Sequence, residues 1–233
     1  MSLRAPLAAF LVVVLPSTAQ QTAVTWGPEL APVGCPVYYS VVNAGPASIA
    51  FDPCGFAVYD AAGNLVFVPP CTGPVVLQAR EFHAQQWNQV NSAGQPVPAG
   101  LYHLDNPGGP TVVVGGANAA VAPIGSRNFE LCAPRSGGFP YLMAASLSST
   151  TGIPFCGGTI PLDPDALLRL SLRSPGVFQG FIGVLDPTGK AAAHIAMPNN
   201  LGFFEFSLAF IVLDPAAPCG VREISAPTHT LVF

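Results

Sequence analysis

The sequence predicts an all-β protein, with two β-sandwich domains in tandem after a signal peptide. Three observations predict it. Of the 233 residues, 26 are proline and 24 are glycine, so helix interiors are interrupted at short intervals. Short runs of β-branched and aromatic residues recur roughly every 8–12 residues with turn signals between them. Half of the chain is hydrophobic and only 9% is charged, against roughly 25% in an ordinary soluble domain. Such a chain buries a core and is not disordered by composition.

The first element is an address. Arg4 supplies a short positive region, Ala5 to Pro16 is apolar, and Ser17-Thr18-Ala19 places small residues at a cleavage site. This pattern predicts a signal peptide over 1–19 and a mature chain starting near Gln20. The apolar run is too short to span a bilayer core of about 30 Å. No later window reaches 18 apolar residues uninterrupted, so no transmembrane segment is expected after cleavage. Phe203 to Leu213 comes nearest, and Glu205 interrupts it.

The first domain is expected over 20–115. Val37 to Val42 reads as a strand ended by Asn43-Ala44-Gly45-Pro46, and Ser48 to Phe51 as a short strand ended by Asp52-Pro53. Phe56 to Tyr59 and Leu65 to Val68 flank Asp60-Ala61-Ala62-Gly63-Asn64, which predicts a hairpin. Val75 to Leu77 and Arg80 to Trp87 follow. Asn91 to Gln95 then turns the chain, and Val97 to Leu104 enters a strand through a Pro-Gly corner. Thr111 to Val114 closes the domain. The Gly/Ala/Pro-rich stretch 116–126 reads as a linker.

The second domain is expected over 127–233. Its apolar runs are Tyr141 to Leu147, Phe178 to Leu185, Ala191 to Ile195, Phe203 to Leu213 and Thr230 to Phe233. Asp186-Pro187-Thr188-Gly189 has the residues of a type I turn. Ala166 to Leu172 is read as a strand with Leu168, Leu170 and Leu172 on one face. The alternative is a helix from Asp163 to Arg173, capped by Asp163 with Pro164 in its first position.

Six cysteines follow the signal peptide: Cys35, Cys54, Cys71, Cys132, Cys156 and Cys219. An even count in an exported chain argues for disulfides, and no pair has the CxxC spacing of a zinc or redox site. The expected pairs are Cys54–Cys71 and Cys156–Cys219, with Cys35 and Cys132 either joined or free. The expected location is outside the cytoplasm: extracellular, periplasmic or on the cell surface.

Chemistry is hard to find. Eight Lys+Arg face twelve Asp+Glu, and the basic residues are scattered, which excludes nucleic-acid binding by phosphate neutralisation. The histidines His83, His103, His194 and His229 form no HExxH pair, although His83 and His103 would form a joint metal site if their strands were adjacent. G-x-S-x-G and the phosphate-binding glycine patterns are absent, and Ser136 is a loop serine. Asp52, Asp163, Asp186 and Asp214 all precede proline, where they cap or turn backbone. Asp163 with Asp165 offers too few ligands for a calcium loop. Trp26, Trp87, Tyr38, Tyr39, Tyr59, Tyr102 and Tyr141 either line a binding face or fill the core, and core filling is favoured. No catalytic site, cofactor or metal is expected.

One stretch resembles a known pattern. It comprises the Asp60-x-x-Gly63 hairpin, Trp87, and Gly94-x-x-Val97-Pro98-Ala99-Gly100-x-Tyr102. It is similar to the immunoglobulin-like domains of the BsuPI proteinase-inhibitor family, of the flagellar hook-capping protein and of bacterial secretion-sorting tails. The resemblance covers about 30% of the chain and implies Ig-like sandwiches in a bacterial protein. The second half is similar to C-terminal regions of secreted planctomycete-type proteins, through Gly157-Gly158, Pro161-Leu162-Asp163-Pro164 and Leu185 to Gly189. The function expected is an exported, non-catalytic structural or binding module with a protein or glycan partner. The alternative, implied by the resemblance, is a proteinase inhibitor acting through Pro69 to Pro74 or Asn88 to Gln95.

Overall fold

In the computed structural model the described residues are 13–14, 22–26, 28–43, 45–71, 73–79, 81–105, 109–124, 127–156, 158–197 and 204–232. The expected signal peptide lies outside them, apart from Val13–Val14. The chain is all-β, as its patterning predicts.

The strands of the first half are β1 (Val13–Val14), β2 (Thr22–Trp26), β3 (Leu30–Ala31), β4 (Val37–Asn43), β5 (Ile49–Phe51) and β6 (Ala57–Asp60). They continue with β7 (Leu65–Phe67), β8 (Val75–Leu77), β9 (Phe82–Trp87), β10 (Gly100–Asp105) and β11 (Thr111–Val114). One sheet has the order β1-β2-β4-β9, the other β3-β11-β10-β6-β7, and β5 pairs with β8. All pairs are antiparallel except β3 with β11. Alternation along each strand sends one set of side chains inward. Val37, Tyr39 and Trp87 from the first sheet meet Val58, Tyr102, Leu104, Val112 and Val114 from the second. This is a sandwich core.

The second half contains β12 (Ala120–Pro123), β13 (Asn128–Cys132), β14 (Pro140–Ser146), β15 (Ile153–Phe155), β16 (Gly158–Ile160) and the helix α1 (Ala166–Arg173). It ends with β17 (Phe178–Gln179), β18 (Ile182–Val184), β19 (Lys190–Ile195), β20 (Phe204–Leu213), β21 (Val221–Ile224) and β22 (Thr228–Val232). The sheets run β12-β13-β19-β17 and β18-β14-β20-β21, β22 pairs with β20, and β15 with β16 forms a hairpin. Phe129 and Leu131 of one sheet meet Met143, Phe206, Leu208, Phe210 and Val212 of the other. Ala144 and Ala209, on the outer face of β14 and β20, are covered by Leu162, Ile160 and Leu168. That second cover explains why β20 reads as a continuous apolar run rather than an alternating one.

Three readings need correction. Residues 166–173 form a helix, not a strand. Its cap is Asp165 rather than Asp163: the Asp165 carboxylate accepts from Leu168 N–H at 2.8 Å. Leu167, Leu168 and Ser171 turn toward the sheets, whereas Leu170 and Leu172 are 50% and 41% exposed. Within 116–126, expected as a linker, Ala120–Pro123 is a buried strand paired with β13. Its small side chains fit a crowded core edge and do not mark a flexible segment. Phe178 to Leu185 is not one strand. It breaks at Gly180, at φ +69°, where β17 pairs with β19 while β18 crosses to β14. A Cβ at Gly180 would lie 2.5 Å from Ala192 O, so only glycine permits the crossing.

Candidate functional site

The residues of the Asp60–Tyr102 pattern build the fold. The Asp60 carboxylate accepts from the N–H groups of Ala62 and Asn64, both at 2.9 Å, and Gly63 stands at φ +81°. The Asn64 side chain and these amides hold the Asp60 carboxyl below its ordinary pKa. Trp87 is 0% exposed, donates its indole N–H to Val90 O at 2.7 Å, and meets the Tyr102 ring edge-on at 5.0 Å. Tyr102 donates its hydroxyl to Pro98 O at 2.8 Å, tying the strand to the corner that introduces it. Gly94 is at φ +77° in the Asn91 turn, and Gly100 opens β10.

The structure brings the two loops suggested for an inhibitor onto one strand. Pro69 to Pro74 follows β7 in the chain and is stapled at Cys71 to Cys54. The Asn88–Gln95 loop docks on β7, with Ser92 N–H donating to Val66 O at 3.0 Å. Asn91 rigidifies that loop by accepting from Ala93 and Gln95 N–H, both at 3.0 Å. Gln89 anchors its base, accepting from Gly34 N–H and donating to Pro32 O. Strand β7 is the edge of its sheet, and beside these loops Leu65 and Val68 are 56% and 40% exposed. The Val66 carbonyl on this edge is taken by Ser92, so what the edge presents is exposed apolar side chains flanked by two braced loops.

The groups weighed for catalysis and metal binding are not assembled in this way. His83 and His103 belong to different sheets, so the joint site fails; His83 instead pairs with Gln85 at 2.9 Å, and burial lowers its pKa. The Asp163 carboxylate accepts from the hydroxyls of Ser148 and Thr150 and from the N–H groups of Thr150, Thr151 and Gly152. Asp165 accepts from Ser146, Leu147 and Leu168. Both carboxylates are spent on the loop and the helix cap, which leaves them poor calcium ligands. Asp52 lies beside Cys54 and Cys71, but both sulfurs are consumed in a disulfide. Ser207 and His229 sit opposite one another on β20 and β22, with Oγ and Nδ1 3.0 Å apart. Ser207 is buried, while His229 is exposed. Ser136 is a fully buried loop residue.

A shallow recess of about 240 Å³ lies over β13, β17 and β19, rimmed by the cross-strand row Asn128, His194 and Gln179. Typical ligand pockets are roughly 300–1,000 Å³, so it falls short of a buried small-molecule site. Of the aromatics, Tyr39, Trp87, Tyr102 and Tyr141 fill cores. Tyr38 donates its hydroxyl to Glu130 at 3.3 Å, reaching from the first half to the second. Burial, with the Glu130 carboxylate beside it, pushes the Tyr38 phenol up to about 12. Lys190 pairs with the same Glu130 at 3.0 Å.

The cysteines pair as Cys54–Cys71, Cys156–Cys219 and Cys35–Cys132. Cys35–Cys132 was the pair the sequence left open. It joins the two halves beside the Tyr38–Glu130 contact, with both cysteines buried.

No family model and no curated protein matches the chain. Among solved structures, the native conformation of E. coli alpha-2-macroglobulin, from cryo-EM, is similar over 98% of this chain, at 13% identity and a TM-score of 0.27. The chain spans 15% of the length of that protein, and a likeness this slight carries no argument about fold or function.

Proposed function

We propose that this chain is an exported, non-catalytic binding module of bacterial origin, a disulfide-braced scaffold that engages a protein or glycan at the cell surface or outside the cell. The carrying observation is the set of three disulfides: one within each half and one between them. Cystines accumulate in oxidising compartments, and a chain braced at three places presents a surface without ordering cost. The amino-terminal pattern around Arg4 and Ala19 supports export. The test is an intact mass of the protein expressed from its full sequence in a secreting host, before and after reduction and alkylation. Loss of residues 1–19 and uptake of six alkyl groups only after reduction is the expected result. Six thiols reacting without reduction, with the amino terminus retained, would overturn the reading.

The β7 edge favours a second reading, proteinase inhibition by insertion of the stapled Pro69–Pro74 loop into a protease cleft. Residue rigidity at Cys71 and the exposed Leu65 and Val68 support it. Titration of the mature chain against a panel of serine proteases checks it. Inhibition that Leu65→Arg weakens about tenfold or more, a change worth about 1.4 kcal/mol, would support it. No inhibition at micromolar concentration would remove it.

A further inference from the structure

The three disulfides occupy different backbones. Cys35 and Cys132 are buried. Cys54 is half-buried and Cys71 exposed. Cys156 and Cys219 are both exposed, and both sit in the left-handed region, at φ +46° and +56°. A non-glycine residue held at positive φ carries a conformational cost, and here both partners of one bond carry it. Cleaving that bond lets two backbones relax together.

Each end of the bond is also anchored without it. On the Cys156 side, the base of the β15–β16 hairpin is held by the five donors on Asp163, from Ser148 through Gly152. On the Cys219 side, the turn is closed by Asp214, whose N–H donates to Gly220 O at 3.0 Å and whose carbonyl accepts from Ala217 at 2.9 Å. Arg222 holds the Asp214 carboxylate at 3.3 Å and stacks 4.6 Å over Phe139. Between the two anchors the hairpin lies over β21, and a Cβ at Gly158 would stand 3.8 Å from the Ile224 side chain. Of the hairpin strands only Ile160, at the end of β16, packs on the outer face of β14 and β20, and neither inner core has a buried member from β15 or β16.

We propose that Cys156–Cys219 is a reducible brace, opened by an external dithiol before the other two disulfides, and that opening frees the β15–β16 hairpin while both cores stay folded. A thiolate of the dithiol attacks one sulfur of the pair and the other leaves as a thiolate that takes up a proton. The second thiol of the reductant then displaces the remaining cysteine. The cystine gains two electrons and two protons, and the dithiol becomes its own disulfide. Exposure admits the attacking thiolate, and relief of the two backbones favours the product.

The test is graded reduction of the mature protein with dithiothreitol, trapping with iodoacetamide and peptide mapping, followed by amide hydrogen exchange on the partly reduced form. Cys156 and Cys219 should be alkylated at a dithiothreitol concentration at least about tenfold below that for Cys35 and Cys132, and ahead of Cys54 and Cys71. Exchange should quicken at 153–156 and 158–160 and stay unchanged in β14 and β20. The Cys156→Ser/Cys219→Ser double variant should show the same local change without dithiothreitol. Reduction of all three bonds together, reduction of either other bond first, unchanged exchange in the hairpin, or a double variant that fails to fold would each overturn the proposal.

Discussion

Carboxylates and amides do unusual duty in this chain at the residue scale. Asp60, Asn91 and Asp186 each head the same turn, accepting on Oδ1 from the N–H groups two and four residues on, with glycine third. In all three turns the side-chain oxygen takes the place of a backbone acceptor. Asp163 is the extreme case. The Ser148 hydroxyl, then the Gly152 and Thr151 amides, hold its carboxyl far below the usual range. A folded-state pKa below the unfolded value stabilises fully above about pH 4 and loses that contribution as pH falls below it. Asp163→Asn should therefore lower stability at pH 7 by on the order of 1–2 kcal/mol, and the gap from wild type should narrow progressively as pH falls from about 4 to about 2. Urea unfolding of both proteins across that range measures it; a gap independent of pH would refute the charged acceptor.

Helix α1 carries the lesson at the scale of elements. Alternation of Leu168, Leu170 and Leu172 favours a strand, because apolar residues two apart share one face of a pleated strand. The outcome was decided by Asp165, which caps the helix, and by an outer sheet face that needs covering at Ala144 and Ala209. Ser171 completes the fit by accepting from Ala145 N–H at 3.1 Å. Leu170→Gln and Leu172→Gln should change stability by less than about 0.5 kcal/mol, and Leu168→Ala should cost about 1–2 kcal/mol. A strand-like pattern, with all three costly in thermal melts, would contradict the helix. The turns are distinguishable too. Gly94 and Gly189 have nearly the same backbone, φ +77° and +81°, but a Cβ meets nothing within 4 Å at Gly94 and would lie 2.1 Å from Ala133 O at Gly189. Gly94→Ala should cost about 1 kcal/mol, the price of the conformation alone. Gly189→Ala should cost about 3 kcal/mol or more, since the Ala133–Pro134 backbone just past β13 must move away. Equal melting temperatures would show that the contact is relieved elsewhere.

Across the whole molecule, the junction between the halves is covalent. Cys35–Cys132 closes 97 residues of sequence, and a loop of that length restricts the unfolded chain by about 4–5 kcal/mol in the chain-entropy description. Beside it, Tyr38, Glu130 and Lys190 form a partly buried polar trio. The two cores share no residue. Replacing both cysteines with alanine should therefore lower the stability of the whole by a few kcal/mol and split one calorimetric transition into two. A single undivided transition in the double variant would show that the halves are coupled by packing instead.

Much of this was legible in the sequence because it is local. Strand runs, the Asp60, Asn91 and Asp186 turns and the all-β class follow from period-two alternation and from glycine where φ must be positive. Cys54–Cys71, spaced 17 apart around one hairpin, follows from proximity along the chain. What the tertiary structure alone decided is non-local. It made a helix of 166–173 because a distant sheet face wanted a cover, and made a strand of 120–123 because small residues fit where β13 and the β14–β20 sheet converge. It separated His83 from His103 by placing their strands in different sheets, and gathered two loops distant in sequence onto β7. It joined Cys35 to Cys132. None of these depends on a residue's neighbours in sequence. Each is set by which surfaces the folded chain brings within a few ångströms, and burial energy is counted only there.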